Sequence, residues 1–202
     1  MKLLLIRHGY VDGISPERFR GRQDVPLSPR GVQQAREVAE HIAQRERPVV
    51  VYTSPLRRCT ETAAAIAAAT GVDVQVLADL IDLNYGDWQW LTRDEVRSRW
   101  PALIERWDIA PHLVRFPNGD SLQDLIARVS NVLRMLLDRH ARETVAVVGH
   151  DSGNRALLLQ LLDQPASSYW RFTQDPCGLS AIEIASDGAR LITLNDTSHL
   201  RV

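Results

Sequence analysis

The sequence predicts an α/β three-layer sandwich, a mostly parallel central sheet flanked by helices on both faces. Three observations predict it. Short apolar, β-branched runs alternate with longer segments whose apolar residues recur at helical spacing. The strand runs are continuous rather than alternating, as expected for parallel strands covered on both faces. No linker, repeat or low-complexity tract interrupts the 202 residues, so one domain over residues 1–202 is expected.

Lys2–Arg7 reads as a buried strand that stops at Gly9. The stretch from Tyr10 to Leu27, with Gly13, Pro16, Gly21 and Pro26, reads as a long loop, and long loops are usually functional. Ser28-Pro29 opens a helix, with serine as N-cap and proline at the first helical position. Its apolar stripe is Val32, Ala35, Val38, Ala39 and Ile42, and it stops before Pro48. Val49–Thr53 is a second strand. Ser54-Pro55 repeats the cap-plus-proline signal before an alanine-rich helix that ends at Gly71. Val72–Leu77 is a third strand candidate. An irregular aromatic stretch follows, and Thr92 caps a short helix to Trp100. Pro101–Pro117 is turn-rich with helical fragments. Asp120 or Ser121 caps a long helix to about His140. Thr144–Gly149 is a fourth strand and Ser152–Leu162 a further helix. Leu179–Ile184 and Arg190–Leu194 are late strands, with Asp187-Gly188 as the hairpin turn.

Composition excludes several function classes. Lys+Arg is 24 against 25 Asp+Glu, for a formal net charge of -1, so no global basic field attracts nucleic acid or anionic membrane. No apolar run approaches the roughly 18–20 residues of a membrane span. The apolar part of the N-terminus is too short for a signal peptide, whose apolar region needs about 7–15 residues. A cytoplasmic location is therefore the expectation. Two cysteines, Cys59 and Cys177, exclude a disulfide-rich scaffold and a four-thiolate zinc site. His41, His112, His140 and His199 show no metal-ligand spacing, and no metal or other cofactor is implied. Lys2 is the sole lysine, so any anion site must be built from arginine forks.

In parallel sheets ligands bind beyond the carboxyl ends of the strands. Arg7-His8-Gly9 and Gly149-His150 stand at two such ends, and Arg58 lies near the start of a helix that follows a third. Two histidines and two arginines thus converge on one edge. A neutral imidazole is a nucleophile, and guanidiniums with a second, protonated imidazole hold a phosphoryl group as it transfers. Transfer to histidine and then to water splits one hard step into two. The leaving alkoxide needs a proton, so a carboxylic acid should stand nearby.

Four motifs in order carry a resemblance. They are Leu5-Ile6-Arg7-His8-Gly9, the run from Gly21 through Gly31, Tyr52–Ala63 with Arg57-Arg58, and Val147–His150 followed by Asn154–Leu158. The chain resembles the histidine phosphatase superfamily, in its phosphoglycerate-mutase-like branch. The resemblance implies a phosphomonoester hydrolase with phosphohistidine formed on His8. Arg7 and Arg58 would grip phosphate, and His150 would be the second phosphate-binding imidazole. Asp82, before Tyr85-Gly86, matches the proton donor, where the family mostly carries glutamate. Asp120, in Gly119-Asp120-Ser121, is the other acidic candidate, with helix capping as its other role. The family's loop asparagine falls at Ile14, which cannot donate a side-chain hydrogen bond, so either Arg20, Arg22 or a backbone amide stands in, or the loop is placed differently. Asp151 beside His150 would keep that imidazole cationic if close. The expected partner is a small phosphorylated metabolite, with no nucleic acid and no membrane, and a homodimer is left open. Two other functions remain at this point: a phosphoglycerate-mutase-type phosphotransferase, and a non-catalytic phospholigand-binding protein. Specificity is expected from the Tyr10–Arg22 loop and the Leu83–Arg115 segment.

Overall fold

The computed structural model describes residues 1–201. Strand β1 (Lys2–Arg7) is followed by α1 (Pro29–Arg45), β2 (Pro48–Thr53), α2 (Arg57–Thr70) and β3 (Asp73–Val76). Helices α3 (Arg93–Arg99), α4 (Pro101–Ile109) and α5 (Leu122–Arg139) come next. Strand β4 (Thr144–Gly149), helix α6 (Asp151–Leu161) and strands β5 (Leu179–Ala185) and β6 (Gly188–Asp196) complete the chain. The sheet order is β3-β2-β4-β1-β5-β6; the first four strands are mutually parallel, β5 runs antiparallel to β1, and β6 runs antiparallel to β5. The expected three-layer α/β architecture is what forms.

Alternation along the strands builds the layers. Leu4 and Ile6 of β1 face α1 and α2, joining Val38, Ile42, Ala63 and Ile66. Leu3 and Leu5 face the other way, toward α5 and α6 with Leu125, Val129 and Leu157, and toward an aromatic cluster around Trp88, Trp107 and Phe116. Trp88 is therefore core. The caps follow local chemistry: Ser28 accepts from the Gly31 N–H, while Thr92 and Ser121 each form a capping box with Glu95 and Asp124. Asp120 is not the cap.

The chain departs from expectation at two boundaries. Helix α2 begins at Arg57, with Leu56 in the cap position and no side-chain cap. Ser54, which reads as that cap, is turned toward β4 instead. The hairpin turn is Ser186–Asp187, and Gly188 is already paired with Ala185.

Topology positions the site. Because β4 is inserted between β2 and β1, the carboxyl ends of three parallel strands stand side by side, and their next residues are Ser54, His150 and His8. The turn after His8 packs on the start of α1 backbone to backbone. A Cβ on Gly31 would stand 2.1 Å from the Tyr10 carbonyl oxygen, and one on Gly9 would stand 2.6 Å from the Gly31 oxygen. Only glycine fits both positions, which explains the Arg-His-Gly pattern without reference to chemistry.

Candidate active site

His8 and His150 are both buried, with ring centroids 5.4 Å apart at 63°. The His8 Nδ1 lies 2.8 Å from the Gly9 carbonyl oxygen, which can only accept. Nδ1 therefore carries the proton and Nε2 the lone pair. Burial holds the His8 pKa well below its ordinary value, helped by Arg58, His150, Arg7 and Arg20. This ring is neutral and oriented.

His150 is also neutral. Arg58 Nε donates to its Nδ1 at 3.3 Å, so its Nε2 carries the proton and donates to Ser54 Oγ at 2.7 Å. Burial lowers its pKa to about 3; Asp82 opposes this and Arg58 reinforces it. The expected cationic imidazole is thus corrected. Asp151 does not act on His150, because it pairs with Arg155 one helical turn on, at 3.0 Å. The carboxylate beside His150 is Asp82, with Oδ2 3.6 Å from Nδ1.

Arg58 is wholly buried and joins the groups. It donates to Asp82 Oδ2 at 3.2 Å and to the carbonyls of Gly21 and Gln23, each at 2.7 Å. Adding the bond to His150, four of its five N–H hydrogens have protein acceptors. Arg58 here is mainly a fixed charge and an organiser, with one Nη1 hydrogen left. Arg57 turns its side chain outward to Glu61, as its place beside Arg58 on a helix suggests, and its backbone N–H donates to Asp24 Oδ1. Arg7 donates from Nη1 to the Gln174 carbonyl, while its buried Nε has no partner among the described residues.

Asp82 is buried at the same point. Its Oδ1 accepts from Ser152 Oγ and from the Leu83 N–H at 2.9 Å. Burial alone would raise its pKa, but the Arg58 charge and the hydrogen bonds from Ser152 and the Leu83 amide hold it below the usual carboxylate range. It rests as a carboxylate. Arg128, unremarked in the sequence, fixes this segment by donating to the carbonyls of Asp79, Ile81 and Asp82.

A polar cleft opens over His8, lined among others by Arg18, Arg20, Asp82, Tyr85, Arg93 and Trp170. Of the two loop arginines, Arg20 lines the cleft; burial, then Arg7, lowers its pKa from the usual arginine value. Arg22 does not line it. It reaches the Asp82 carbonyl at 3.4 Å and pairs with Asp120 at 3.0 Å. Arg22, expected to bind substrate, is not among the residues that line this cleft; its contacts join two loops. Asp120 also accepts from the Asn84 N–H and is absent from the cleft lining, whereas Asp82 lines it. Ile14 faces a separate cavity beside α1. The cleft walls include the two expected loop regions, plus Asp151, Ser152 and Trp170 from outside both. Cys59 lies 3.5 Å from His150 Nε2, but its thiol is close to the Gly149 carbonyl and burial pushes its pKa up, so it is inert.

Comparison with known proteins agrees with this geometry. A family model described as "Histidine phosphatase superfamily (branch 1)" matches residues 3–197. The chain belongs to the histidine phosphatase superfamily. Among its relatives is phosphoserine phosphatase 1 of Hydrogenobacter thermophilus, 34% identical over 99% of this chain and 94% of that protein. Another is the adenosylcobalamin/alpha-ribazole phosphatase of Salmonella typhimurium, 28% identical over 96% of each. A mycobacterial glucosyl-3-phosphoglycerate phosphatase solved with VO3 superposes with a TM-score of 0.90 at 26% identity, covering 97% of this chain and 99% of that one. In this histidine phosphatase the four motifs meet as their order suggests, and phosphatase activity fits the named relatives better than mutase activity or mere binding.

Two expected outcomes follow from the site. Both histidines have folded pKa values below the unfolded reference of about 6.5, so their stabilising contribution is complete above that pH. It is lost as pH falls from about 6.5 toward the folded values, by about 1.4 kcal/mol per pH unit for each ring. Urea unfolding at about pH 7.5 and about pH 5.5 should show this slope, and His150→Asn should roughly halve it. Unchanged midpoints would contradict neutral buried rings. For the arginines, Arg20→Gln should lower kcat/KM by about 10-fold or more, the scale of one charged hydrogen bond. Arg22→Gln, which touches only neighbouring loops, should cost less than about threefold, as for an exposed pair. Equal losses in steady-state kinetics would undo that distinction.

Proposed function

We propose that the protein hydrolyses a small phosphorylated metabolite in the cytoplasm, in two half-reactions through phosphohistidine on His8. The observation that carries this reading is the neutral His8 with its lone pair on Nε2, set among Arg7, Arg20 and Arg58, with a carboxyl group at Asp82. In the first half-reaction Nε2 attacks phosphorus in line with the ester oxygen. The N–P bond forms, the P–O bond breaks, and the alkoxide takes a proton from Asp82. In the second, water attacks the phosphoryl group, Asp82 takes its proton, and His8 leaves with its lone pair restored. The arginines offset charge on the phosphoryl oxygens throughout.

Asp82 rests ionised, so its proton must arrive with the substrate. A phosphomonoester monoanion, present below a second pKa of about 6, brings one. The added negative charge also raises the pKa of Asp82 and His150, which favours their protonation in the complex.

The test is a panel of phosphomonoesters assayed for inorganic phosphate, including phosphoserine, alpha-ribazole phosphate and glucosyl-3-phosphoglycerate, the compounds named for the relatives. Phosphate release from at least one, with no transfer between the carbons of phosphoglycerate, supports the proposal. Positional transfer without release would favour a mutase.

A further inference from the structure

Two histidines with no metal-ligand spacing in the sequence meet outside the cleft. His41 lies on α1. Asp196 ends β6, and His199 follows in the next turn. One candidate ligand atom from each lies within 4.8 Å of the other two. The imidazole centroids are 5.0 Å apart.

Hydrogen bonding sorts the nitrogens of His199. Its Nε2 lies 3.1 Å from the Cys177 carbonyl oxygen, which only accepts, so Nε2 carries the proton and Nδ1 the lone pair. That Nδ1 is buried and has no hydrogen-bond partner among the described residues. A histidine that donates one N–H to a backbone carbonyl and offers its other nitrogen is the usual arrangement of a metal ligand. The Asp196 carboxylate is likewise fixed, since its Oδ1 accepts the Ser198 N–H at 2.8 Å. Two imidazoles and one carboxylate, with a fourth position for water, suit zinc or a similar divalent transition metal.

We propose that His41, Asp196 and His199 form a metal site that ties the C-terminal segment to α1. Tetrahedral zinc places neighbouring ligand atoms about 3.4 Å apart, so the three atoms close inward by side-chain rotation. The site is structural rather than catalytic, because none of the three residues lines the cleft. It is nonetheless connected to the strand end: the Cys177 whose carbonyl holds His199 donates its own N–H to the carbonyls of Arg7, at 3.0 Å, and His8, at 3.3 Å.

The experiment uses the full chain, stripped with a chelator and titrated with zinc chloride, with calorimetry and thermal melts as readouts. One equivalent should bind, and zinc at about one hundred times Kd should raise Tm by about 5–10 °C. Cobalt chloride should give the visible absorption of a tetrahedral site. His41→Gln and His199→Gln should each weaken binding at least about tenfold, in line with the loss of a ligand contact. His41→Gln changes a half-buried residue on the surface of α1; its metal-free urea midpoint should match wild type, so it decides the matter even if His199→Gln folds poorly. The proposal is overturned if wild type takes up no zinc, or if His41→Gln binds it with unchanged affinity. It is also overturned if uptake is abolished by His8→Ala, which would place the metal in the catalytic cleft.

Discussion

His8→Ala is expected to lower kcat by about 10⁴- to 10⁶-fold on every phosphomonoester, the scale seen when a covalent nucleophile is removed. No other group can take its place. Cys59, the nearest thiol to the histidine pair, is buried and held protonated. His150 is neutral, but its Nδ1 receives the Arg58 N–H and its Nε2 is committed to Ser54. The residual rate should match that of the arginine pocket acting on water alone. Binding should largely survive if, as proposed, the charges of Arg7, Arg20 and Arg58 hold the phosphate, because all three remain. Single-turnover assays with a phosphate-release probe measure the first point, and vanadate titration the second. An alanine variant within tenfold of wild type would remove His8 from the mechanism.

Asp82→Asn is expected to be the next most damaging change, and its effect should depend on the leaving group. For alkyl phosphates, which leave as strongly basic alkoxides, general-acid loss should cost about 10²- to 10⁴-fold. For aryl phosphates, whose phenolates leave without a proton, the cost should be at least tenfold smaller. Asparagine keeps the size and the hydrogen bond from Ser152, so the fold should hold. It loses the charge that pairs with Arg58 at 3.2 Å, and some of the loss will be common to all substrates. The difference between leaving groups is the part that reports proton transfer. Equal losses on alkyl and aryl substrates would leave Asp82 a positioning residue and require another acid. Asp120, already paired with Arg22, is the variant to compare; Asp120→Asn should show no leaving-group dependence.

Much of the fold was readable from local chemistry. Ser28, Thr92 and Ser121 cap helices because their side chains need only reach a backbone N–H three residues on. Gly71 ends α2 in the left-handed region that glycine tolerates. Strand ends at Arg7, Thr53 and Gly149 located the edge where the site forms. What could not be read required contacts between distant parts of the chain. Ser54 followed by proline is a strong local helix signal, yet its hydroxyl goes to His150, which no local rule can anticipate. Asp151 is the sequence neighbour of His150, but helix geometry sends it to Arg155 while Asp82 comes in from another loop.

The same limit applied elsewhere. Arg20 and Arg22 are equivalent in the sequence; the structure turns one into the cleft and the other onto Asp120. Arg128 supports Asp82 from α5 with no local sign of doing so. Trp88 lies nearest Asp82 along the chain but is core, whereas Trp107 and Trp170 line the cleft because the Ala166–Arg171 turn folds back over α4. Burial reverses a further expectation: it outweighs the carboxylate near His150 and leaves that ring uncharged.

The covalent step is the centre of this account, and it can be observed directly. Rapid acid-free quench of the enzyme during turnover, followed by peptide mass spectrometry, should find one phosphoryl group on the peptide containing His8, in a bond stable to alkali and labile to acid. The same peptide from His8→Ala should carry none. A phosphoryl group on any other residue, or turnover that never labels the protein, would contradict it.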